Sequence, residues 1–143
     1  MAEKKKETKP KESPKSSDKK TKSKKVKTNA PEALVYVWAT FNNTIVTFTD
    51  LDGNVLASSS PGMVGFKGTK KSTAFAATKA AEDAALKALK CGVKEVKIYL
   101  KGPGQGRNAA VKGIDSAGIR VTLLSDLTPI PHNGCRPRRP PRN

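Results

Sequence analysis

The sequence predicts one mixed α/β domain, a five-stranded sheet in the order βββαβαβ with two helices, carrying a basic tail at each end. Three observations predict it. Period-two runs of β-branched and aromatic residues crowd positions 34–60, an alanine-rich stripe at spacings of three and four follows, and two further alternating runs enclose a shorter helical stretch. A chain of 143 residues suits one ordinary core and is short for two.

The first three strands are "LVYVWATF" from Leu34, "TIVTFTD" past Asn42 and Asn43, and "VLASSS" past Asp52, Gly53 and Asn54. Asn-Asn and Asp-Gly-Asn are turn residues, so the runs read as an antiparallel meander. "SPGMVGFKGTKKST" has neither period and reads as a loop. Ser72 or Thr73 can cap the helix "TAFAATKAAEDAALKALKC", which should stop at Gly92. Its Ala74, Ala77, Ala81, Ala85, Ala88 and Leu89 make a stripe of small residues that lets a helix lie close to a sheet. "KEVKIYLK" alternates as a fourth strand, "GPGQGR" leads into a helix over Asn108–Ala117 ended by Gly118, and "IRVTLLSD" is the fifth strand. Strands joined through helices are parallel crossovers, which completes a sheet with helices packed on it.

Charge divides the chain. The formal net charge is +16, from 28 basic and 12 acidic residues. Residues 1–29 hold 12 Lys against 4 acids, 132–143 hold 4 Arg and no acid, and the domain between, 30–131, nets only +4. Such polarity points to a polyanion, nucleic acid before an anionic membrane surface. No apolar run is long enough to span a membrane, and none follows the Lys-rich start as an ordinary secretory signal requires. The leader, almost without apolar residues, is expected to be disordered in isolation, either following a phosphate backbone or acting as a solubilising tail. Two cysteines, Cys91 and Cys135, do not make a disulfide framework and fit a reducing cytosol.

Several stretches invite chemical readings. "KGPGQGRNAAVKG" is a strand end, a glycine-rich turn and a helix start, where backbone N–H groups can meet a phosphate. Gly102, Gly104 and Gly106 lack the dinucleotide spacing, although Asp126 stands about 20 residues on, where such a site has its ribose acid. Three readings follow: a nucleic-acid phosphate contact helped by Arg107, a tight turn with no ligand, and a nucleotide-binding enzyme built on Gly102–Gly106. "GFKGTKKST" fits no P-loop register; Lys67, Lys70 and Lys71 suit either phosphate contact or a solvated charge run. A two-metal nuclease needs carboxylates gathered from several elements. Here turn chemistry accounts for Asp50 and Asp52, and solvation of a helix for Glu82 and Asp83.

The chain ends in "PHNGCRPRRPPRN". His132 and Cys135 are only two zinc ligands, and a Cys–His nucleophilic pair would need a shaped pocket, so neither metal nor catalysis is expected and no cofactor is implied. Pro129, Pro131, Pro137, Pro140 and Pro141 hold the segment extended. It thereby presents Arg136, Arg138, Arg139 and Arg142, forked donors suited to phosphate. Asn133 precedes Gly134, whose unhindered amide favours cyclisation to a succinimide that opens largely to isoaspartate, so Asn133 is a candidate for that modification.

"ATFNNTIVTFTD", "GFKGTKKSTAFAA", "KGPGQGR" and "DLTPIPHNGCRP", in this order and spacing, resemble the bacterial small-subunit ribosomal proteins numbered eleven in the standard series, over about 31–137. The resemblance implies a ribonuclease-H-like sheet without enzyme activity, bound to small-subunit rRNA. It further implies a place on the platform, among neighbouring platform proteins, near the messenger exit and the Shine–Dalgarno cleft, in a cytoplasmic ribosome. Carried over by motif, the expected RNA contacts are Asn42, Asn43, Lys67, Lys70, Lys71, Arg107 and the tail from His132 and Asn133 through Arg136, Arg138 and Arg139. Arg142 joins them by its chemistry. The expected division is a leader over 1–29, an α/β RNA-binding domain over 30–131 and an extended tail over 132–143.

Overall fold

The alternating runs become strands β1 (Glu32–Ala39), β2 (Thr44–Thr49), β3 (Val55–Ser59), β4 (Glu95–Lys101) and β5 (Arg120–Asp126), with helices α1 (Ala74–Leu89) and α2 (Gly106–Ser116) between the later ones. The computed structural model describes residues 30–141. The leader and Arg142 therefore lie outside the described residues.

The five strands form one sheet in the order β3-β2-β1-β4-β5. β1 pairs antiparallel with β2 and parallel with β4, and β4 pairs parallel with β5, so the predicted mixed sheet is present. β1 begins before Leu34 because Glu32 and Ala33 pair with Glu95 and Val96 of the parallel neighbour. Between Val96 and Lys97 the register against β5 shifts, leaving Thr122 extra; its hydroxyl donates to the Val96 carbonyl at 3.1 Å. Alternation alone does not disclose such a bulge, because the pattern is interrupted by a single residue.

One sheet face carries the core. Val35, Val37, Val46, Phe48, Val96 and Ile98 are buried there, under α1 and α2. Truncating Phe48 to Ala would cost ~3–5 kcal/mol, the range for a fully buried aromatic. Thr73 caps α1, its hydroxyl accepting from the Ala76 N–H at 3.3 Å. At the far end Gly92, at φ +88°, donates to the Leu89 carbonyl while Val93 donates to that of Ala88, a Schellman ending.

The buried face of α1 is broader than the predicted stripe. Ala76, Ala80 and Ala84 are buried beside Ala77, Ala81, Ala85 and Ala88, whereas Ala74 and Leu89 are exposed. The reason is that α1 meets two surfaces, the β2–β3 side of the sheet and α2. A Cβ on Gly113 of α2 would stand 2.7 Å from the Thr78 carbonyl oxygen and 2.9 Å from the Ala81 Cβ, so glycine sets how closely the helices pack. Similarly α2 starts at Gly106 rather than Asn108, because Gly106 is buried against Thr44 and Ala77.

Candidate nucleic-acid interface

Strand direction sorts the loops. β1, β3, β4 and β5 all point the same way, and the pairs Ala39 with Thr44, Val46 with Ser59, Trp38 with Lys101 and Leu100 with Asp126 bring their ends together. The β1–β2 turn, the loop after β3, the turn after β4 and the chain leaving β5 therefore emerge at one end of the sheet. Both helices start there. Every described residue expected to touch RNA, from Asn42 to Arg139, belongs to these four segments or to the first turn of α2.

The loop after β3 is more regular than its sequence suggests. Gly68–Ser72 forms a short 3-10 turn, and Thr73 fastens it to α1, its hydroxyl donating to the Lys70 carbonyl at 2.9 Å. Phe66 and Phe75 meet edge to face at 6.1 Å, closing the base of the loop. The turn lacks a buried residue, which is why no apolar period marks it. It leaves Lys67 and Lys70 exposed and Lys71 half-buried, and none of the three forms a salt bridge among the described residues.

The glycine-rich turn is a packing device. A Cβ at Gly102 would fall 2.2 Å from the Ala39 carbonyl oxygen, and one at Gly104 2.3 Å from that of Thr40. Their amides are already used inside the protein: Gly102 donates to the Thr128 hydroxyl at 3.1 Å and Gly104 to the Ala39 carbonyl at 3.0 Å. Close approach of β4's end to β1 thus explains these glycines, and neither N–H is left for a phosphate. Between the readings open in the sequence, the ligand-free turn fits these two residues.

Arg107 and Asp126 meet here, in another role than a ribose site. Arg107 Nη1 donates to Asp126 Oδ2 at 2.6 Å. Asp126 Oδ1 accepts from the Thr128 N–H at 2.9 Å and from its hydroxyl at 2.5 Å. The Thr128 bonds, and after them the Arg107 guanidinium, hold the Asp126 carboxyl below the ordinary carboxylate range. With the Leu127 N–H donating to the Leu100 carbonyl at 2.8 Å, this network fixes the direction in which the tail leaves the sheet. Arg107 keeps about a third of its side chain exposed, 34 %, for an outside anion. Thr128 escaped sequence reasoning; the signal was the Asp-x-Thr spacing, which suits a side chain reaching the backbone two residues on.

In the β1–β2 turn the Thr40 hydroxyl accepts from the Asn43 N–H at 3.1 Å and donates to its carbonyl at 3.0 Å. Asn42 is exposed, whereas Asn43 is half-buried, its Oδ1 shut from solvent and without a partner among the described residues. The tail runs without helix or strand from Leu127 to the last described residue, and His132, Asn133, Arg136, Arg138 and Arg139 are all exposed on it. Asn133 has φ +54°, the left-handed conformation that Asn tolerates better than most residues.

The acids lie elsewhere. Asp50 and Asp52 sit in the β2–β3 turn at the opposite end of the sheet, where Gly53 donates to the Asp50 carbonyl at 3.0 Å. Asp83 is not simply solvated, as expected for a mid-helix acid. It accepts from the buried Ser59 hydroxyl at 2.6 Å and from Lys87 at 2.6 Å, clamping β3 to α1. Among the described residues no three His, Cys, Asp or Glu side chains converge on a metal-sized site.

Comparison with known proteins gives the family. The sequence pattern of the family described as ribosomal protein S11 matches residues 33–142. The chain belongs to the ribosomal protein S11 family. It is 55 % identical over 119 residues to the small ribosomal subunit protein uS11 of Treponema pallidum strain Nichols, covering 83 % of this chain and 94 % of that one. It is 56 % identical over 119 residues to the protein of the same name from Nitratidesulfovibrio vulgaris, covering 83 % and 92 %. With the relative from Desulfotalea psychrophila it shares 53 % over 116 residues, covering 81 % and 92 %. The match thus takes in both helices and all of the sheet except Glu32.

Proposed function

We propose that this protein is a non-enzymatic structural constituent of the small ribosomal subunit that holds small-subunit rRNA at the carboxyl end of its parallel strands. The observation that carries the reading is the sorting of charge by topology. Lys67, Lys70, Lys71 and Arg107 share the end where both helices begin and from which the arginine-bearing tail leaves, opposed there by Asp126, while at the other end Lys90, Lys94 and Arg120 are offset by Asp50, Asp52, Glu95 and Asp115. Helix N-termini add partial positive charge to the same end. Membership of the ribosomal protein S11 family supports the choice of rRNA as the polyanion.

On this reading residues 30–131 set position by shape, and the tail follows phosphates between rRNA helices. Arg136, Arg138 and Arg139 supply bidentate charge-assisted bonds, joined by Arg142. Asn42 and His132 offer polar contacts, and Asn43 lends its turn. The leader neutralises further phosphates. The site is the platform, beside neighbouring platform proteins and near the messenger exit, in a cytoplasmic ribosome. Asn133, exposed, followed by Gly134 and already left-handed, is the position where isoaspartate would redirect the tail.

Sedimentation tests the assignment. Full-length protein mixed with small subunits depleted of it should travel with them through a salt wash. Protein left at the top of the gradient would refute the assignment.

A further inference from the structure

Among the described residues the helices cover one face of the sheet and leave the other open. On that open face lie Tyr36 and Trp38 of β1, Ile45 of β2, and Lys97, Tyr99 and Lys101 of β4, each alternating with the buried residues of its strand. Trp38 is 56 % exposed and Tyr36 43 %. Tyr36 and Tyr99, paired across the strands, stack with ring centroids 5.5 Å apart, and Trp38 pairs directly with Lys101. Neither Lys97 nor Lys101 forms a salt bridge among the described residues; of the acids that β1 and β4 place on this face, Glu95 engages Arg120 at 3.3 Å, and Glu32 stands beside it at the start of β1, the end away from Trp38 and Lys101.

We infer that this open face is a second RNA surface, which takes a single-stranded segment by stacking a base on Trp38, beside the Tyr36–Tyr99 pair, with Lys97 and Lys101 on its phosphates. The inference rests on the rRNA reading above, and the face adjoins the carboxyl-end loops, since Trp38 and Lys101 stand at that end of β1 and β4, but it uses sheet side chains that neither the loops nor the tail supply. Charge selects the occupant. The basic leader, or a second copy of a chain at net +16, would bring like charge to unpaired lysines. Protein interfaces exclude lysine from their centres, whereas aromatic rings interleaved with cations on a sheet suit unstacked bases and phosphates.

Trp38 is the chain's one tryptophan, so its fluorescence reports its own surroundings on this face in full-length protein with both tails, and the Lys97 and Trp38 variants separate stacking there from binding at the adjoining loops. Titration with oligoriboadenylate of about ten nucleotides should quench it saturably, and duplex RNA of equal charge should quench it far less. By filter retention, which needs no tryptophan, the affinity of Trp38→Ala for the oligonucleotide should fall about 5- to 150-fold, the range for one stacked base, with Trp38→Phe losing less. A Lys97→Gln, Lys101→Gln double variant, folded as judged by circular dichroism, should need more oligonucleotide for half-quenching. Binding seen by filter retention without any change in Trp38 fluorescence would overturn the inference while leaving the tail reading intact. Quenching by polyglutamate but not by the oligonucleotide would overturn it in favour of an acidic protein partner.

Discussion

Gly104 illustrates how one residue's environment decides what a motif means. In sequence, three glycines at alternate positions suggested a phosphate cradle; in the fold, Thr40's carbonyl occupies the space a Cβ would need. Gly104→Ala should therefore lose ~1–3 kcal/mol, the cost of forcing an extra carbon into a packed site. Gly62, where the nearest atom to an added Cβ is 3.9 Å away, should change by less than about 1 kcal/mol on the same substitution. Urea midpoints of the two variants check the contrast; equal losses would mean the turn can relax away from β1. Asn133 carries a second prediction at this scale. Electron-transfer fragmentation of mature protein should show isoaspartate at 133 in part of the population, and only unmodified Asn there would remove the proposal.

At the scale of elements, strands and helices were legible because each buries one face, and burial writes its period into the sequence. β1 alternates strictly, with Val35 and Val37 inward, and the run was read as a strand on that alternation. The 3-10 turn at Gly68–Ser72 and the bulge at Thr122 bury nothing periodic and left no such trace. The Ser59–Asp83–Lys87 clamp was invisible for a different reason: its partners are 24 residues apart, on elements whose docking no local pattern states. Lys87 and then Ser59 hold the Asp83 carboxyl below its ordinary value of 3.8. A group with a lowered folded pKa adds stability above its ordinary pKa, and that contribution fades as pH falls through the lowered one. Asp83→Asn should accordingly be less stable than wild type at neutral pH, with the gap closing as pH falls below 3.8 and through the lowered pKa. Urea unfolding across that pH range measures it, and a pH-independent gap would assign the loss to packing instead of charge.

The whole molecule is polarised by its topology. Because β1, β3, β4 and β5 run the same way, every connection entering a helix and the tail leaving β5 lie at one end, and the basic loops are on it. Sequence alone named the basic residues but could not show that Asn42, Lys70 and Arg107 share an end. Nor could it show that Arg107 has an internal partner, since Asp126 lies 19 residues away. What the chain advertises openly is the tail, whose prolines and arginines need no tertiary contact to be read. Phosphate neutralisation by that tail is the centre of the account, and its salt dependence tests it most directly. In filter binding to small-subunit rRNA, log affinity falls with log salt by about 0.7–0.9 per phosphate contact, so replacing Arg136, Arg138 and Arg139 together by Ala should flatten the slope by roughly two to three units. A slope unchanged from wild type would contradict the account.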